Sequence, residues 1–248
     1  MGVFNRLFKK TPQLEPADLS ILKTDVHSHL IAGIDDGVKT IDEAIAMLRK
    51  FIELGYTKVI TTPHVMSDYY KNTPEIINAG LVDLQAEVQR LNLPIAVEAA
   101  AEYYLDHNLS QLIESKNILT FGDNYMLFEL SFTTEQNRIK ESMFELITEG
   151  YKPIIAHIER YPFYFNEWAK IEDYRNRGVL IQVNTNSLSG QYGPQVKKMA
   201  EELIDRDWVD LIGSDSHHLG HLEVLDGLRT NPHLHKIIAK ENLLNKFL

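Results

Sequence analysis

Asp25, His27 and His29 stand two residues apart within Lys23 to Gly37, KTDVHSHLIAGIDDG. On an extended backbone that spacing projects all three side chains from one face. An imidazole pair so placed can hold one metal ion from a single strand. Asp35 and Asp36, after the flexible Ala32-Gly33 turn, can return an acidic oxygen to the same ion or to a second one beside it. H-x-H is a short pattern that equally fits ordinary polar residues at a strand end, so the rest of the chain has to decide between the two.

The elements that would position these residues repeat one unit: a short apolar run, a ligand-type residue at its end, then a helical pattern. After a Pro-bearing linker from Thr11 to Pro16, the expected strands are Lys23 to His27, Lys58 to Thr62, Ile95 to Ala101, Tyr125 to Phe128, Lys152 to Ala156, Val179 to Val183 and Trp208 to Ile212. Between them lie helical stretches at Thr40 to Leu54, Thr73 to Leu91, His107 to Ser115, Thr134 to Glu149, Asn166 to Arg177 and Pro194 to Asp205, with two short helices after His221. The first helix carries an apolar face of Ile41, Ala44, Ile45, Leu48, Phe51 and Ile52, an N-cap at Thr40 and a stop at Gly55. Thr73-Pro74 is a cap followed by a first-turn proline.

Strands alternating with helices imply a parallel sheet with right-handed crossovers. His27 and His29, His64, Glu102, Glu129, His157, and Asp215 with His217 all fall at or just past the carboxyl end of an expected strand. In an α/β barrel those ends converge on one rim, where such enzymes keep their active sites. An open sheet would spread them along a line, so the expected fold is an α/β barrel.

Imidazoles and carboxylates without thiols suit manganese, iron or zinc in clusters of two or three ions; magnesium fits less well because it rarely takes several imidazoles. Carboxylates bridge ions about 3.5–4 Å apart, and a water between them is acidified to hydroxide near neutral pH. Hydrolytic attack on phosphorus or a carbonyl follows, with phosphate esters the natural substrates. His107, His218, His221, His233 and His235 lack this placement and read as structural.

Composition narrows the classes. The chain has 248 residues, enough for one large domain, with 44% hydrophobic residues; 35 acidic against 25 basic residues give a net charge of −10. That charge argues against nucleic-acid binding. The absence of cysteine excludes disulfides, thiolate metal sites and a phosphocysteine mechanism. No apolar run reaches the length of about 18 residues that spans a membrane, and MGVFNRLFKK lacks the pattern of a signal peptide. The expected organisation is an N-terminal tail at 1–21, with contact to an acidic bilayer or partner as its alternative role, and a barrel domain at 22–248 in a cytoplasmic protein.

Laid out this way, the chain resembles the polymerase and histidinol phosphatase (PHP) superfamily, and within it the bacterial metal-dependent protein-tyrosine phosphatases of the CpsB/CapC type, encoded with capsule and exopolysaccharide genes. The motifs that carry the resemblance are DVHSHLIAGIDDG, ITTPH, AAAEYY, FEL, IAHIERY, QVN and IGSDSHH, over about residues 22 to 245. The resemblance implies a distorted TIM-like (β/α)7 barrel, a three-metal site usually described with manganese, and hydrolysis of phosphotyrosine on a protein such as a bacterial tyrosine kinase. A small-molecule phosphomonoesterase, such as a histidinol phosphatase, is the alternative. The matching ligands are His27, His29, Asp36, His64, Glu102, Glu129, His157, Asp215 and His217. His27, His29, Glu102 and Asp215 would hold one ion; Glu102 would bridge to a second held by Glu129 and His157; Asp36, His64 and His217 would serve a third. Arg160 matches the arginine expected to bind phosphate, and His217 is a candidate proton donor. The chain departs from many relatives after His64, where Val65-Met66-Ser67-Asp68 stands in place of basic residues, and after His217, where HLGHLEV carries none.

Overall fold

The computed structural model describes residues 14–248. Its strands are β1 (Thr24–Asp25), β2 (Lys58–Thr61), β3 (His64–Val65), β4 (Ala96–Ala99), β5 (Glu102–Tyr104), β6 (Tyr125–Glu129), β7 (Lys152–Ile155), β8 (Leu180–Asn184) and β9 (Leu211–Gly213). The helices are α1 (Ile41–Glu53), α2 (Pro74–Arg90), α3 (Leu109–Glu114), α4 (Ile139–Thr148), α5 (Trp168–Asn176), α6 (Pro194–Asp205), α7 (Leu219–Gly227) and α8 (Pro232–Ala239). Pairing is parallel throughout, in the orders β1-β2-β4 and β3-β5-β6-β7-β8-β9.

Two staves continue past their expected ends, Thr62 and Ala101, in a second short piece. Pro63 has no N–H to donate, which interrupts β2–β3, and Ala100-Ala101 interrupts β4–β5. Single bonds carry the pairing across both gaps: Ala100 N–H to Thr61 O at 2.9 Å and Glu102 N–H to Pro63 O at 3.1 Å. The two pairs therefore act as one kinked strand each, giving seven barrel staves.

The ring closes between the first and last staves. Ser28 and Ser216 form a parallel bridge, Asp215 N–H donates to His27 O at 2.7 Å, and Ser214 N–H donates to Asp25 Oδ1 at 2.9 Å. Asn245 clamps the same seam below, donating to Thr24 O and Ile212 O and accepting from Ile212 N–H. Burial pushes the Asp25 carboxyl up to about 7, against the Ser214 hydrogen bonds and the nearby His27.

Local sequence explains the helices. Thr40 Oγ accepts from Glu43 N–H and Thr73 Oγ from Ile76 N–H, as the caps require. The stripe of α1 buries Ala44, Ile45, Leu48 and Phe51 together with Met47, each large side chain worth about 1.5–3 kcal/mol. α4 begins at Ile139, five residues later than expected, because Thr134 makes no cap and Ser131 to Arg138 run as irregular chain. The expected tail boundary also shifts. Ala17, Leu19 and Leu22 are buried in the main core through a single 3₁₀ turn, too short for its spacing to show in the sequence, so the packed body starts before residue 22. The rest of the expected tail, residues 1–13, lies outside the described residues.

Inside the ring, Val26, Ile60, Ala100, Leu127, Ile154, Ala156 and Leu211 form an apolar plug with Phe121. Ala100 and Leu127 sit two residues before Glu102 and Glu129 on their strands, hence on the same inward face. Six of the seven staves carry an acidic or imidazole group at the carboxyl end, and β8 ends in Asn184, which places the polar groups above a dry floor.

Candidate metal centre

His27, His29, Glu102, Glu129, His157 and Asp215 are buried, His64 nearly so, and Asp36 and His217 stand at the opening. Two glycines permit this density. A Cβ at Gly37 would lie 2.4 Å from His29 Cβ, and one at Gly213 would lie 2.6 Å from His27 Cβ. Both distances are shorter than side chains tolerate, so only glycine lets these two segments close on the H-x-H pair.

The donor atoms face one another. His27 Nε2 lies 3.1 Å from Glu102 Oε2 and 3.4 Å from Asp215 Oδ1, and His29 Nε2 lies 3.6 Å from each of the same oxygens. His64 Nδ1 is 3.2 Å from Glu102 Oε2 and 3.0 Å from Glu129 Oε1, while its Nε2 is 3.4 Å from Asp36 Oδ1. His157 Nε2 is 3.0 Å from Glu102 Oε1 and 4.0 Å from Glu129 Oε2. His217 Nε2 is 3.4 Å from Asp36 Oδ1. Four groups have donors mutually within 4.8 Å: His29, Asp36, His64 and His217; His27, His29 and Glu102; His27, His157 and Asp215; His64, Glu102 and Glu129. All nine expected ligands meet in one place. The grouping differs from the expected partition in three respects: His29 joins Asp36, His64 and His217; His64 takes the place beside Glu102 and Glu129 that was expected for His157; and Asp215 groups with His27 and His157.

The donor set fits cations. His27 Nε2, His29 Nε2, His64 Nδ1 and Glu102 Oε2 are buried with no hydrogen-bond partner, a costly arrangement unless something positive satisfies the converging lone pairs. The outer nitrogens are fixed to match. His29 Nδ1–H donates to Asp35 Oδ2 at 2.8 Å, leaving Nε2 with its lone pair inward. An amide places the proton of His27. His157 N–H donates to Gln182 Oε1 at 2.8 Å, and Gln182 Nε2 donates to Asn184 Oδ1 at 2.9 Å, so the Gln182 oxygen is the atom facing His27 Nδ1 at 3.2 Å. His27 Nδ1 must then carry a proton, and Nε2 is the nitrogen left to face the ions.

The electrostatics agree. Burial disfavours charge on His27, but Glu102 and Asp215 outweigh it and raise its pKa to about 9; His29 is raised in the same way, against burial, by Asp215 and Asp35. Glu102 and Asp215 are held well below the usual carboxylate range, the imidazoles overcoming desolvation. Protons stand in for cations in this cluster, and metal ions would displace them.

The mouth above the cluster holds about 250 Å³ and is lined by Asp36, His64, Glu129, Phe132, His157, Arg160, Tyr192, Asp215, His217 and His221. The Arg160 guanidinium lies over the rings of Phe132 and Tyr192, 4.8 and 4.4 Å from their centroids. Phe132, Tyr192 and the orienting role of Asp35 were not singled out from sequence, and Gln182 entered only within the QVN motif, with no role assigned. Gln182 and Asn184 stand two apart on one strand, a signal that was present but carried by unremarkable residue types. His221, read as structural, borders the mouth with Nδ1 3.2 Å from Asp215 O; His107, His218, His233 and His235 lie outside the donor cluster.

A parallel barrel with imidazoles and carboxylates packed at the carboxyl ends of its strands is the architecture of a metal-dependent hydrolase. Residues 23–224 match the family described as capsular polysaccharide synthesis, CpsB/CapC, and the chain belongs to that family. CapC of Staphylococcus aureus is 30% identical over 198 residues, 79% of this chain and 77% of that protein. The tyrosine-protein phosphatase CpsB of Streptococcus pneumoniae is 27% identical over 201 residues, 79% and 83% of the two chains. Among solved structures, a chain from the crystal structures of YwqE of Bacillus subtilis and CpsB of S. pneumoniae, described as unique metal-dependent tyrosine phosphatases, superposes with a TM-score of 0.79 at 23% identity, covering 90% of this chain and 94% of that one. An amidohydrolase of Mycoplasma synoviae shares the fold at a TM-score of 0.56 and 12% identity, covering 92% and 86%.

Proposed function

We propose that this protein is a metal-dependent phosphomonoesterase that hydrolyses phosphotyrosine on a protein, a bacterial tyrosine kinase governing capsule or exopolysaccharide synthesis being the substrate we favour, and that it acts in the cytoplasm. The observation that carries this reading is the set of unpartnered imidazole nitrogens and the Glu102 oxygen converging beneath an open mouth that holds a single arginine. The relatives named above as tyrosine phosphatases support it.

His27, His29, Asp36, His64, Glu102, Glu129, His157, Asp215 and His217 are the residues that would hold the ions, manganese first and iron or zinc as alternatives. Such ions supply Lewis-acid stabilisation of phosphoryl charge and activation of water. The chain's own residues do the rest. Arg160 brings a fixed positive charge to the mouth, where it neutralises phosphate oxygens. Phe132 and Tyr192 keep its plane in place and give the mouth its apolar surface, against which the substrate's ring rests. Tyrosine leaves as a phenol with a pKa of about 10, far more acidic than an alkanol, so a modest proton donor suffices. With its Nδ1–H held by Asp215 O at 3.1 Å, His217 presents Nε2 as an ion ligand at the opening, and water at the mouth supplies that proton.

The test is hydrolysis of a phosphotyrosyl peptide beside histidinol phosphate, before and after chelation and re-addition of each ion. Ion-dependent turnover of the peptide in preference to the small amine is expected. Equal or faster turnover of histidinol phosphate would make this a small-molecule phosphatase.

A further inference from the structure

A second cavity of about 370 Å³ lies one wall away from the metal centre. The wall is the short β3–β5 extension, whose register pairs His64 with Glu102 and Val65 with Tyr103. Side chains alternate along a strand, so the first pair turns into the metal centre and the second turns away, into the wall of this cavity. The chain then folds over the top edge. Met66 N–H donates to Tyr70 O at 2.8 Å, and the Tyr70 ring stacks on His64 at 5.5 Å with 13° between planes, so Tyr70 borders the cavity while covering a proposed ligand.

The polar groups around the cavity are largely engaged within the protein. Asp106 accepts from Ser67 N–H and Asn108 N–H, one on each oxygen and both at 2.9 Å, tying the two walls together. Asn72 Nδ2 donates to His64 O and Ile34 O, and the Tyr103 hydroxyl accepts from Leu119 N–H. What remains for an occupant is the apolar surface of Val65, Met66, Leu112 and the rings of Tyr70, Tyr103 and Tyr104, together with the buried, unpartnered Ser67 Oγ.

We propose that this cavity is a substrate subsite for a large apolar side chain, above all an aromatic one, that flanks the phosphotyrosine in the substrate protein. The inference rests on the phosphotyrosine reading above and deepens it. The volume accommodates one ring-bearing side chain, and the shared Tyr70 wall sets it within a few residues of the reacting tyrosine along an extended peptide. Burying one such side chain on binding raises kcat/KM by about tenfold over alanine.

The experiment is a set of phosphotyrosyl peptides in which Phe replaces Ala at one flanking position at a time, measured beside an aryl phosphate that is too small to reach the cavity. One or two positions are expected to show the tenfold preference. Asn117→Trp, which fills the cavity from an exposed position, should abolish it while leaving the aryl phosphate rate unchanged. Lys71→Trp repeats the test from an exposed position on the loop from Met66 to Pro74, and thermal melting verifies that both variants fold. Peptides turned over alike whatever the flank, by an enzyme that still hydrolyses aryl phosphate, overturn the subsite and leave the activity standing. Loss of preference only in step with loss of aryl phosphate turnover also overturns it. Failure of the wild type on peptide and aryl phosphate alike removes both readings.

Discussion

Arg160 Nη1 lies 2.9 Å from Asp215 Oδ2, while Asp215 Oδ1 faces His27, His29 and His217 at 3.4–3.6 Å. One carboxylate therefore links the group that meets substrate to the groups that would hold the ions. Asn184 Nδ2 donates to the same Oδ2 at 2.7 Å, fixing which oxygen faces which way.

Arg160→Ala should lower kcat/KM on an aryl phosphate by about 100-fold, ~2.7 kcal/mol, with metal content near that of the wild type. Arg160→Lys should recover less than about tenfold of that, because an ammonium cannot keep the planar fork between Phe132 and Tyr192. Steady-state kinetics paired with metal analysis checks both, and loss of bound metal in step with activity would place Arg160 in the support of the cluster alone.

The amide relay from Gln182 through Asn184 to Asp215 makes a separate prediction. Gln182→Leu removes the acceptor that holds the proton on His27 Nδ1 and should weaken metal binding by about 10–100-fold, besides lowering the melting temperature because it strands His157 N–H and Asn184 Oδ1. Titration of the stripped protein with Mn2+ measures it; unchanged affinity would mean that His27 needs no orienting partner.

Protons and metal ions compete for the same lone pairs. Because the pKa of His27 is raised to about 9, the ion-free protein carries that proton at neutral pH and metal must displace it. Apparent affinity should rise with pH across the neutral range, and binding at neutral pH should release protons, seen calorimetrically as a dependence on the buffer's ionisation heat. Affinity flat between about pH 6 and 8, with no proton release, would contradict this.

Much of this site was legible in the sequence because a barrel makes strand ends and site residues the same set. His64, Glu102, Glu129 and His157 could be placed by counting apolar runs, without knowing which staves were neighbours. Asp35 and Asp36 could not be told apart that way. They are identical in type and adjacent, yet Asp35 turns in to orient His29 while Asp36 reaches His64 and His217 across the opening. The resemblance supplied Arg160, which local pattern does not distinguish from any other arginine. Phe132 and Tyr192 stayed hidden because their role depends on two irregular segments meeting over that arginine, and irregular chain has no period to read. The breaks in two staves were announced by Pro63 and missed at Ala100-Ala101, where no residue type marks them.

We propose that groups from six of the seven staves share more than one ion. Elemental analysis of the purified protein, with anomalous diffraction at the manganese edge from crystals grown with that ion, tests it most directly. The account predicts more than one bound ion per chain, located among His27, His29, His64, Glu102 and Asp215, and loss of both ions and aryl phosphate hydrolysis in His27→Ala. No ion in that cluster, or full activity after His27→Ala, would contradict it.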